Sequence, residues 1–170
     1  ERVVHYAGWT DKYEQVLGSV NPVASAHFNF TVTEPMGIVG ILAPDDAPVL
    51  GLLSLILPAI TSGNSVVALA STTQPYPSSL LGEMLATSDL PGGVVNLMTG
   101  YRSELLKPLA THMDINAVVV ADASKEERVM LETEATCNLK RVVYRKMGVG
   151  PSNSEGVNRS ARSERGSEDQ

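Results

Sequence analysis

Two different patterns of apolar and polar residues follow one another along the chain, and the change falls near residue 35. In the stretch HFNFTVTE (27–34), Phe28, Phe30 and Val32 alternate with polar residues. This period of two predicts a strand with one wet side. From Met36 onward the apolar runs are continuous, as in parallel strands that helices cover on both faces. The pattern therefore predicts an exposed strand followed by a buried sheet.

Five apolar segments of the second region are predicted strands, and helical segments separate them. The predicted strands are IVGIL (38–42), SVVALA (65–70), VVNLM (94–98), AVVVA (117–121) and LKRVVY (139–144). The predicted helices cover residues 1–17, 48–61, 78–87, 102–111 and 124–136. Strands that alternate with helices predict an α/β fold with a doubly wound, mostly parallel sheet.

Composition limits the organisation of the chain. Its 170 residues, 43% of them hydrophobic, suffice for one domain with a substantial core. Residues 148–170 contain only two large apolar residues, Val149 and Val157. Such a segment cannot bury enough apolar surface to offset its ordering entropy, so we predict a disordered polar tail.

Charge and cysteine content exclude several classes of partner and location. The net charge of −6 argues against a nucleic-acid partner, which requires a basic surface. The most apolar stretch, 49–60, is too short for a membrane span. Cys137 is the single cysteine, which favours a reducing compartment, and we expect a cytoplasmic location. The chain does not begin with Met, so we expect a fragment of a longer protein.

Acidic residues stand where two of the predicted strands end. Asp45 and Asp46 lie between two prolines after the first strand, and either could be catalytic, could bind a ligand or could serve a turn. Asp46 is a suitable N-cap for a helix with Pro48 at its first position. Asp122 or Ser124 is likewise a suitable N-cap for the helix over 124–136. Helix capping alone would explain these acidic residues at both strand ends, with no catalytic or ligand-binding role.

Five motifs occur together in an order typical of one enzyme family. EPMGIVGILAP, SGNSVVAL, LPGGVVNLMTG, HMDINAVVV and NLKRVV resemble the NAD-binding half of the aldehyde dehydrogenase superfamily, over roughly residues 5–145. The resemblance implies a helix and oligomerisation strands over 1–34, and a Rossmann-like domain over 35–147. It also implies a homo- or hetero-oligomer formed through the strand at 27–34. Within the superfamily the chain looks most like the degenerate second domain of the tandem family 16 proteins.

The resemblance assigns catalytic roles to two positions, and both residues are unsuitable. Asp46 stands where the family has an Asn that donates to the oxyanion, and an ionised carboxylate has no proton to donate. Arg145 stands where the family has the Glu that acts as general base, and a protonated guanidinium cannot accept a proton. The family's nucleophilic cysteine lies beyond this chain, and Cys137 does not match it. No intact catalytic residue is therefore expected.

The positions that hold NAD in the family are altered as well. Leu69 and Thr72 replace the Lys and Glu that bind the adenosine ribose. Asp122 and Ala123 replace the Gly and Ser of the segment that meets the pyrophosphate, where a helix N-terminus favours an anion. NAD binding is possible by family, but we expect it to be weak or lost.

Two functions follow from this resemblance. The chain is either a non-catalytic dehydrogenase-like domain that acts in assembly or protein contacts, or the cofactor-binding part of an active NAD(P)-dependent aldehyde dehydrogenase that other regions complete. The retained packing motifs and altered site residues favour the first. The sequence contains no pattern of metal ligands.

Overall fold

The computed structural model describes residues 1–147, so the predicted tail at 148–170 lies outside the described residues. Two helices and a hairpin come first: α1 (Arg2–Thr10), α2 (Tyr13–Leu17), β1 (Ser19–Asn21) and β2 (Asn29–Thr31). The sheet strands are β3 (Ile38–Leu42), β4 (Ser65–Leu69), β5 (Val95–Met98), β6 (Ile115–Ala121) and β7 (Arg141–Arg145). The helices between them are α3 (Pro48–Thr61), α4 (Tyr76–Ala86), α5 (Arg102–Thr111) and α6 (Lys125–Ala135), and a 3₁₀ turn spans Thr136–Asn138.

The five later strands form one parallel sheet in the order β5-β4-β3-β6-β7, which confirms the predicted doubly wound α/β fold. Successive strand residues face opposite sides of the sheet. Val39 and Ile41 therefore pack with α3 and α4 on one face, whereas Leu42 and Val118 pack with α5 and α6 on the other. The order of the strands reverses between β3 and β6. Loops at their carboxyl ends diverge there and leave a crevice, which is where ligands bind in such sheets.

The N-terminal region differs from the prediction in two respects. The single helix predicted over 1–17 is wrong, because the chain breaks at Asp11 and Lys12 into α1 and α2. The predicted strand over 27–34 is reduced to the three residues of β2, which pairs with the unpredicted β1. Phe28, Phe30 and Val32, on the apolar side of this strand, are 76%, 57% and 59% exposed within residues 1–147, so burial of that side stays a prediction. Among residues 1–147, no second layer covers this hairpin.

The boundaries of the remaining elements shift by a few residues. Helix α4 begins at Tyr76, two residues earlier than predicted. Strand β7 begins at Arg141 because Leu139 adopts a left-handed conformation, with φ of 55°, which ends the preceding turn. The ammonium of the buried Lys140 donates to the carbonyl oxygens of His112 and Ile115, so it fixes the turn that leads into β6.

One close contact fixes the loop after β3. A Cβ atom added to Gly51 of α3 would lie 2.3 Å from Cγ of Pro44, so only glycine allows the helix to approach this loop. Asp45 and Asp46 follow Pro44 directly and are positioned by that contact. No helix within residues 1–147 is both long and apolar enough to cross a membrane.

Candidate functional site

A crevice of about 300 Å³ lies at the carboxyl ends of β3 and β6, where the strand order reverses. The loop after β3, the segment after β6 and the first turns of α5 and α6 form its walls. Its lining residues are Pro44, Asp45, Asp46, Arg102, Asp122, Ser124 and Glu127. This is the place at which a doubly wound sheet binds its ligand, so it is the candidate functional site.

Acidic side chains dominate the crevice. Asp45, Asp46, Asp122 and Glu127 supply carboxylates, and Arg102 is the one cationic side chain in the lining. Arg102 is already engaged: its Nε and Nη2 donate to the two carboxylate oxygens of Glu127 at 2.7 and 3.0 Å. Its Nη2 also donates to the carbonyl oxygen of Ala121 at 2.9 Å. The guanidinium is therefore bonded within the protein, and its single positive charge is set against four carboxylates in the lining.

The ionisation of Glu127 depends on these contacts. Burial raises the pKa of this carboxyl, but hydrogen bonds from Arg102 and from the backbone N–H of Ser124, together with the charge of Arg102, lower it. The net shift of the pKa is downward from the ordinary value of 4.5. Glu127 is consequently ionised at neutral pH and contributes negative charge to the crevice.

Asp45 contacts the loop that follows the neighbouring strand β4. Its Oδ1 atom accepts hydrogen bonds from the hydroxyl of Ser71 at 2.7 Å and from the backbone N–H groups of Thr72 and Thr73 at 2.8 and 3.3 Å. Burial raises the pKa of Asp45, but these hydrogen bonds and the charge of Arg102 lower it, and the net shift is downward from 3.8. Asp45 is thus an ionised acceptor that joins two loops.

Asp46 does not cap α3, so this part of the prediction is wrong. The N-cap is Ala47, and no side chain bonds to the first turn. Pro48 does occupy the first helical position, as expected. The physical reason is that the loop continues one residue beyond Asp46 before the helix begins, which directs its carboxylate into the crevice wall. Asp46 makes no hydrogen bond to any other residue within 1–147.

Asp122 keeps the backbone conformation that glycine would allow. Its φ is 47°, in the left-handed region that Asp tolerates better than most residues. Its N–H donates to the carbonyl oxygen of Arg145, and its carboxylate accepts from the N–H of Met147, both at 2.9 Å. Asp122 therefore fastens the end of β6 to the chain that leaves β7.

The first turn of α6 is closed by its own side chains. Ser124 is the N-cap, as one of the two expected alternatives, and it forms a capping box with Glu127. The Ser124 hydroxyl accepts from the N–H of Glu127 at 3.2 Å, and the Glu127 carboxylate accepts from the N–H of Ser124 at 2.9 Å. These backbone donors are therefore already satisfied.

The other residues of the predicted site do not line the crevice. Leu69 is 1% exposed and packs in the core against α5 and α6. Thr72 lies in the loop bound by Asp45, Ala123 is half-buried and Arg145 is exposed at the end of β7. Of the predicted site residues, Asp46 and Asp122 alone are brought together in its lining.

Reasoning from the sequence did not identify Arg102 and Glu127 as site residues, and it named Asp45 without its partners. Arg102 and Glu127 are 25 positions apart, and only the crossover from α5 through β6 to α6 brings them together. Asp45 was visible, but its preference for turns gave no indication of a partner on the next loop. Cys137 is exposed in the 3₁₀ turn, and no group of side chains within the described part of the chain could hold a metal ion.

A doubly wound parallel sheet with a crevice at the reversal of strand order defines a Rossmann-like domain. Residues 1–152 match the aldehyde dehydrogenase family, and the chain belongs to that family. It is 31% identical to retinal dehydrogenase 2 of Mus musculus over 147 residues, which is 86% of this chain and 28% of the relative. It is 32% identical to aldehyde dehydrogenase, cytosolic 1, of Elephantulus edwardii over 136 residues, which is 80% of this chain and 26% of the relative.

A solved structure supports the same assignment. The chain superimposes on PnpE from Pseudomonas sp. WBC-3, in its complex with nicotinamide adenine dinucleotide, with a TM-score of 0.78 and 27% identity. The match covers 85% of this chain and 30% of PnpE. The chain thus spans less than a third of the length of these relatives.

Proposed function

We propose that this chain is a non-catalytic domain of the aldehyde dehydrogenase family that acts in assembly or protein contacts. The acidic crevice at the reversal of strand order is the observation that carries this proposal. It contains the carboxylates of Asp45, Asp46, Asp122 and Glu127, and its guanidinium is bound to one of them. The crevice keeps the architecture of a dinucleotide site and has the wrong charge for a dinucleotide.

The pyrophosphate of NAD does not fit these residues. A helix N-terminus binds phosphate through free backbone N–H groups and its positive dipole end. In α6 the N–H groups of Ser124 and Glu127 are bonded within the capping box, and the carboxylates of Asp122 and Glu127 stand beside them. A dianionic ligand here would displace satisfied hydrogen bonds and approach like charges.

The residues at the ribose positions also offer few hydrogen-bond partners for the ribose of NAD. Leu69 has no polar side-chain atom and is buried. The N–H of Thr72 is bonded to Asp45, and its hydroxyl is the one side-chain group left at the positions that the family uses for the ribose hydroxyls. We therefore propose that NAD binding is weak or lost.

The two positions of the chemical step argue in the same direction. We assign Asp46 to the oxyanion-donor position and Arg145 to the general-base position. Loss of one oxyanion donor costs about 2.7–4 kcal/mol of transition-state stabilisation, and an ionised carboxylate adds repulsion. The guanidinium of Arg145 has N–H donors and no acceptor, so it cannot act as a base.

A second function deserves a test because specific observations favour it. The PnpE structure that this chain resembles is a complex with nicotinamide adenine dinucleotide. Asp122 also adopts a left-handed backbone conformation, which glycine favours, at the position where the resemblance places a glycine. The alternative is that the chain is the cofactor-binding part of an active NAD(P)-dependent aldehyde dehydrogenase that other regions complete.

The assembly surface that we propose is the apolar face of the β1–β2 hairpin. Val20 pairs with Phe30 across the hairpin, and the rings of Phe28 and Phe30 lie 5.4 Å apart. These apolar side chains line a groove of about 420 Å³ and are largely exposed within residues 1–147. Covering them is favourable at roughly 25 cal/mol per Å². We propose that a second copy, or a related dehydrogenase chain, covers them.

Association through the hairpin is tested by light scattering after size-exclusion chromatography. The wild-type chain is expected to associate as its concentration rises, and a Phe28→Ser/Phe30→Ser variant is expected to stay monomeric. Thr31→Ser, in the same strand, serves as the control. A wild-type monomer at every concentration contradicts this part of the proposal.

Two finer assignments accompany the proposal. We place the chain in the degenerate second domain of the tandem family 16 proteins, which the full-length parent transcript tests by showing whether another dehydrogenase domain precedes it. We also propose a cytoplasmic location, since a relative carries the name cytosolic. Imaging of a tagged chain in cells checks the location, and an organellar pattern contradicts it.

Unfolding in urea with and without NAD separates the two functions. A ligand that binds only the folded state stabilises it by about 2.7 kcal/mol when its concentration is 100 times Kd. Non-catalytic assembly predicts no change in the free energy of unfolding at millimolar NAD. A saturable increase supports the cofactor-binding alternative instead.

A further inference from the structure

The side chain of Asp45 links two loops at the edge of the crevice. The carboxylate of Asp45, in the loop after β3, accepts a hydrogen bond from Ser71, which lies 26 positions further along the chain in the loop after β4. We propose that the negative charge of Asp45, through its hydrogen bonds, holds the loop at 71–74 and the start of α4 against the loop after β3. We call this set of hydrogen bonds the Asp45 tie. This inference stands whether or not NAD binds.

The geometry concentrates several donors on one atom. The hydroxyl of Ser71 and the N–H groups of Thr72 and Thr73 all point to Oδ1 of Asp45. Ser71 is 1% exposed, so its hydroxyl has no access to water as a replacement partner. Hydrogen bonds to an ionised acceptor are roughly twice as strong as neutral ones. The charge of Asp45 therefore determines the strength of this tie.

The tie extends through Ser71 to the start of α4. The hydroxyl oxygen of Ser71 also accepts from the N–H of Gln74 at 3.1 Å, directly before the N-cap residue Pro75. Pro75 has no side-chain group to bond the first turn of the helix. Through Ser71, Asp45 is thus connected to Gln74, the residue that directly precedes the N-cap of α4.

Other charged groups around the crevice act on the same carboxylate. Arg102 from α5 favours the ionised state of Asp45. The remaining carboxylates of the lining, Asp46, Asp122 and Glu127, oppose it. The hydrogen bonds from the β4–α4 loop and the charge of Arg102 together outweigh burial, so the tie is closed at neutral pH.

The closed tie has a consequence for ligands. The N–H groups of Thr72 and Thr73 bond to a carboxylate of the same chain, so they do not donate to an anion from outside. Asp45 acts as the internal ligand of this loop. Protonation of its carboxyl weakens the hydrogen bonds and releases the loop together with the first turn of α4.

Amide hydrogen exchange at neutral pH, measured by NMR at Thr72 and Thr73, tests this inference. In Asp45→Asn the charge is removed while the shape and one acceptor oxygen remain, so exchange is expected to accelerate several-fold. In Asp45→Ala the acceptor is lost as well, and an acceleration of at least about tenfold is expected, because an amide loses its hydrogen-bond partner.

Asp46→Asn is the matched control. It removes the same charge from the adjacent residue, whose carboxylate makes no hydrogen bond within residues 1–147, and exchange at Thr72 and Thr73 is expected to stay at the wild-type rate. Wild-type exchange in Asp45→Asn overturns the role of the charge. Equal acceleration in Asp46→Asn overturns the tie itself, because the effect then comes from the general field of the crevice. Asp45→Asn is close to isosteric, so these outcomes do not depend on whether Asp45→Ala folds.

Discussion

The guanidinium of Arg102 and the carboxylate of Glu127 form a two-point ion pair between the first turns of α5 and α6, with N–O distances of 2.7 and 3.0 Å. Only 17% and 25% of the two side chains are exposed. The pair joins two crossover helices. Since it lies in the crevice, it also engages Arg102, the only cationic side chain of the lining. The same contact that joins the two helices therefore engages the guanidinium, and under the proposed function this leaves the crevice poorly suited to an anion.

The first prediction concerns the strength of this ion pair. Arg102→Ala leaves the half-buried carboxylate of Glu127 without its partner, and we expect the free energy of unfolding to fall by about 1–3 kcal/mol. Urea unfolding followed by circular dichroism measures the change. The control is Lys107→Ala, which removes a pair with Glu134 whose lysine is 66% exposed, and we expect less than about 1 kcal/mol. Equal effects in both variants would contradict the assigned role of Arg102.

The second prediction concerns pH. The pKa of Glu127 is lowered from 4.5 in the folded chain, so its contribution to stability is fully present above that value and is lost as the pH falls through the folded pKa. We expect the contribution of Glu127 to the free energy of unfolding to decrease as the pH falls from about 4.5 through the lower folded pKa. Glu127→Gln removes this titration, so the difference in stability between wild type and variant should shrink in acid. A difference that is independent of pH contradicts the assignment.

The third prediction uses the left-handed residue Asp122. Asp122→Ala is expected to destabilise the chain by about 1–3 kcal/mol, for two reasons. Alanine is strained at positive φ, since its side chain cannot form the hydrogen bonds by which Asp tolerates this conformation, and the N–H of Met147 loses its acceptor. Asp122→Gly relieves the backbone and loses only the hydrogen bond, so its effect should be smaller. Asp122→Asn should be nearly neutral. Thermal unfolding ranks the three variants, and an alanine variant as stable as the asparagine variant contradicts the account.

The fourth prediction compares two helical glycines. Gly51→Ala gains about 1 kcal/mol of helix propensity but clashes with Pro44, and overpacking costs typically 1–3 kcal/mol, so we expect net destabilisation. Gly82→Ala in α4 meets its nearest neighbour, Leu97, at 3.7 Å and should be stabilising by about 0.5–1 kcal/mol. Urea unfolding measures both. Stabilisation by Gly51→Ala would show that α3 does not fix the loop at Pro44.

The sheet could be predicted from the sequence because its signal is local and repeated. Val39 and Leu42 pack on opposite faces, and a strand buried on both faces must be apolar throughout. The hairpin was predicted less well. The alternation at Phe28 and Phe30 indicates an apolar face, but it does not indicate which part of the chain or which partner covers that face. Within the described residues nothing covers that face.

The sequence predicted individual residues of the site and not the contacts between them. Asp46 and Asp122 lie in the crevice, as the positions of the strands implied. The partners that determine their surroundings come from other crossovers, since Arg102 contacts Glu127 and Asp45 contacts Ser71. Pairings of this kind depend on tertiary geometry, and a preference for caps and turns indicated the wrong role for Asp46.

Calorimetric titration of the chain with NAD tests the central claim most directly. The acidic crevice and the closed capping box of Ser124 and Glu127 predict no saturable heat, with Kd weaker than about 1 mM, which corresponds to less than about 4.1 kcal/mol of binding free energy. The variant Asp46→Asn/Asp122→Gly, which restores two family residues, should bind NAD more tightly than the wild type. Binding by the wild-type chain with Kd near 1 μM, about −8.2 kcal/mol, would contradict the proposal that this domain has lost its cofactor site.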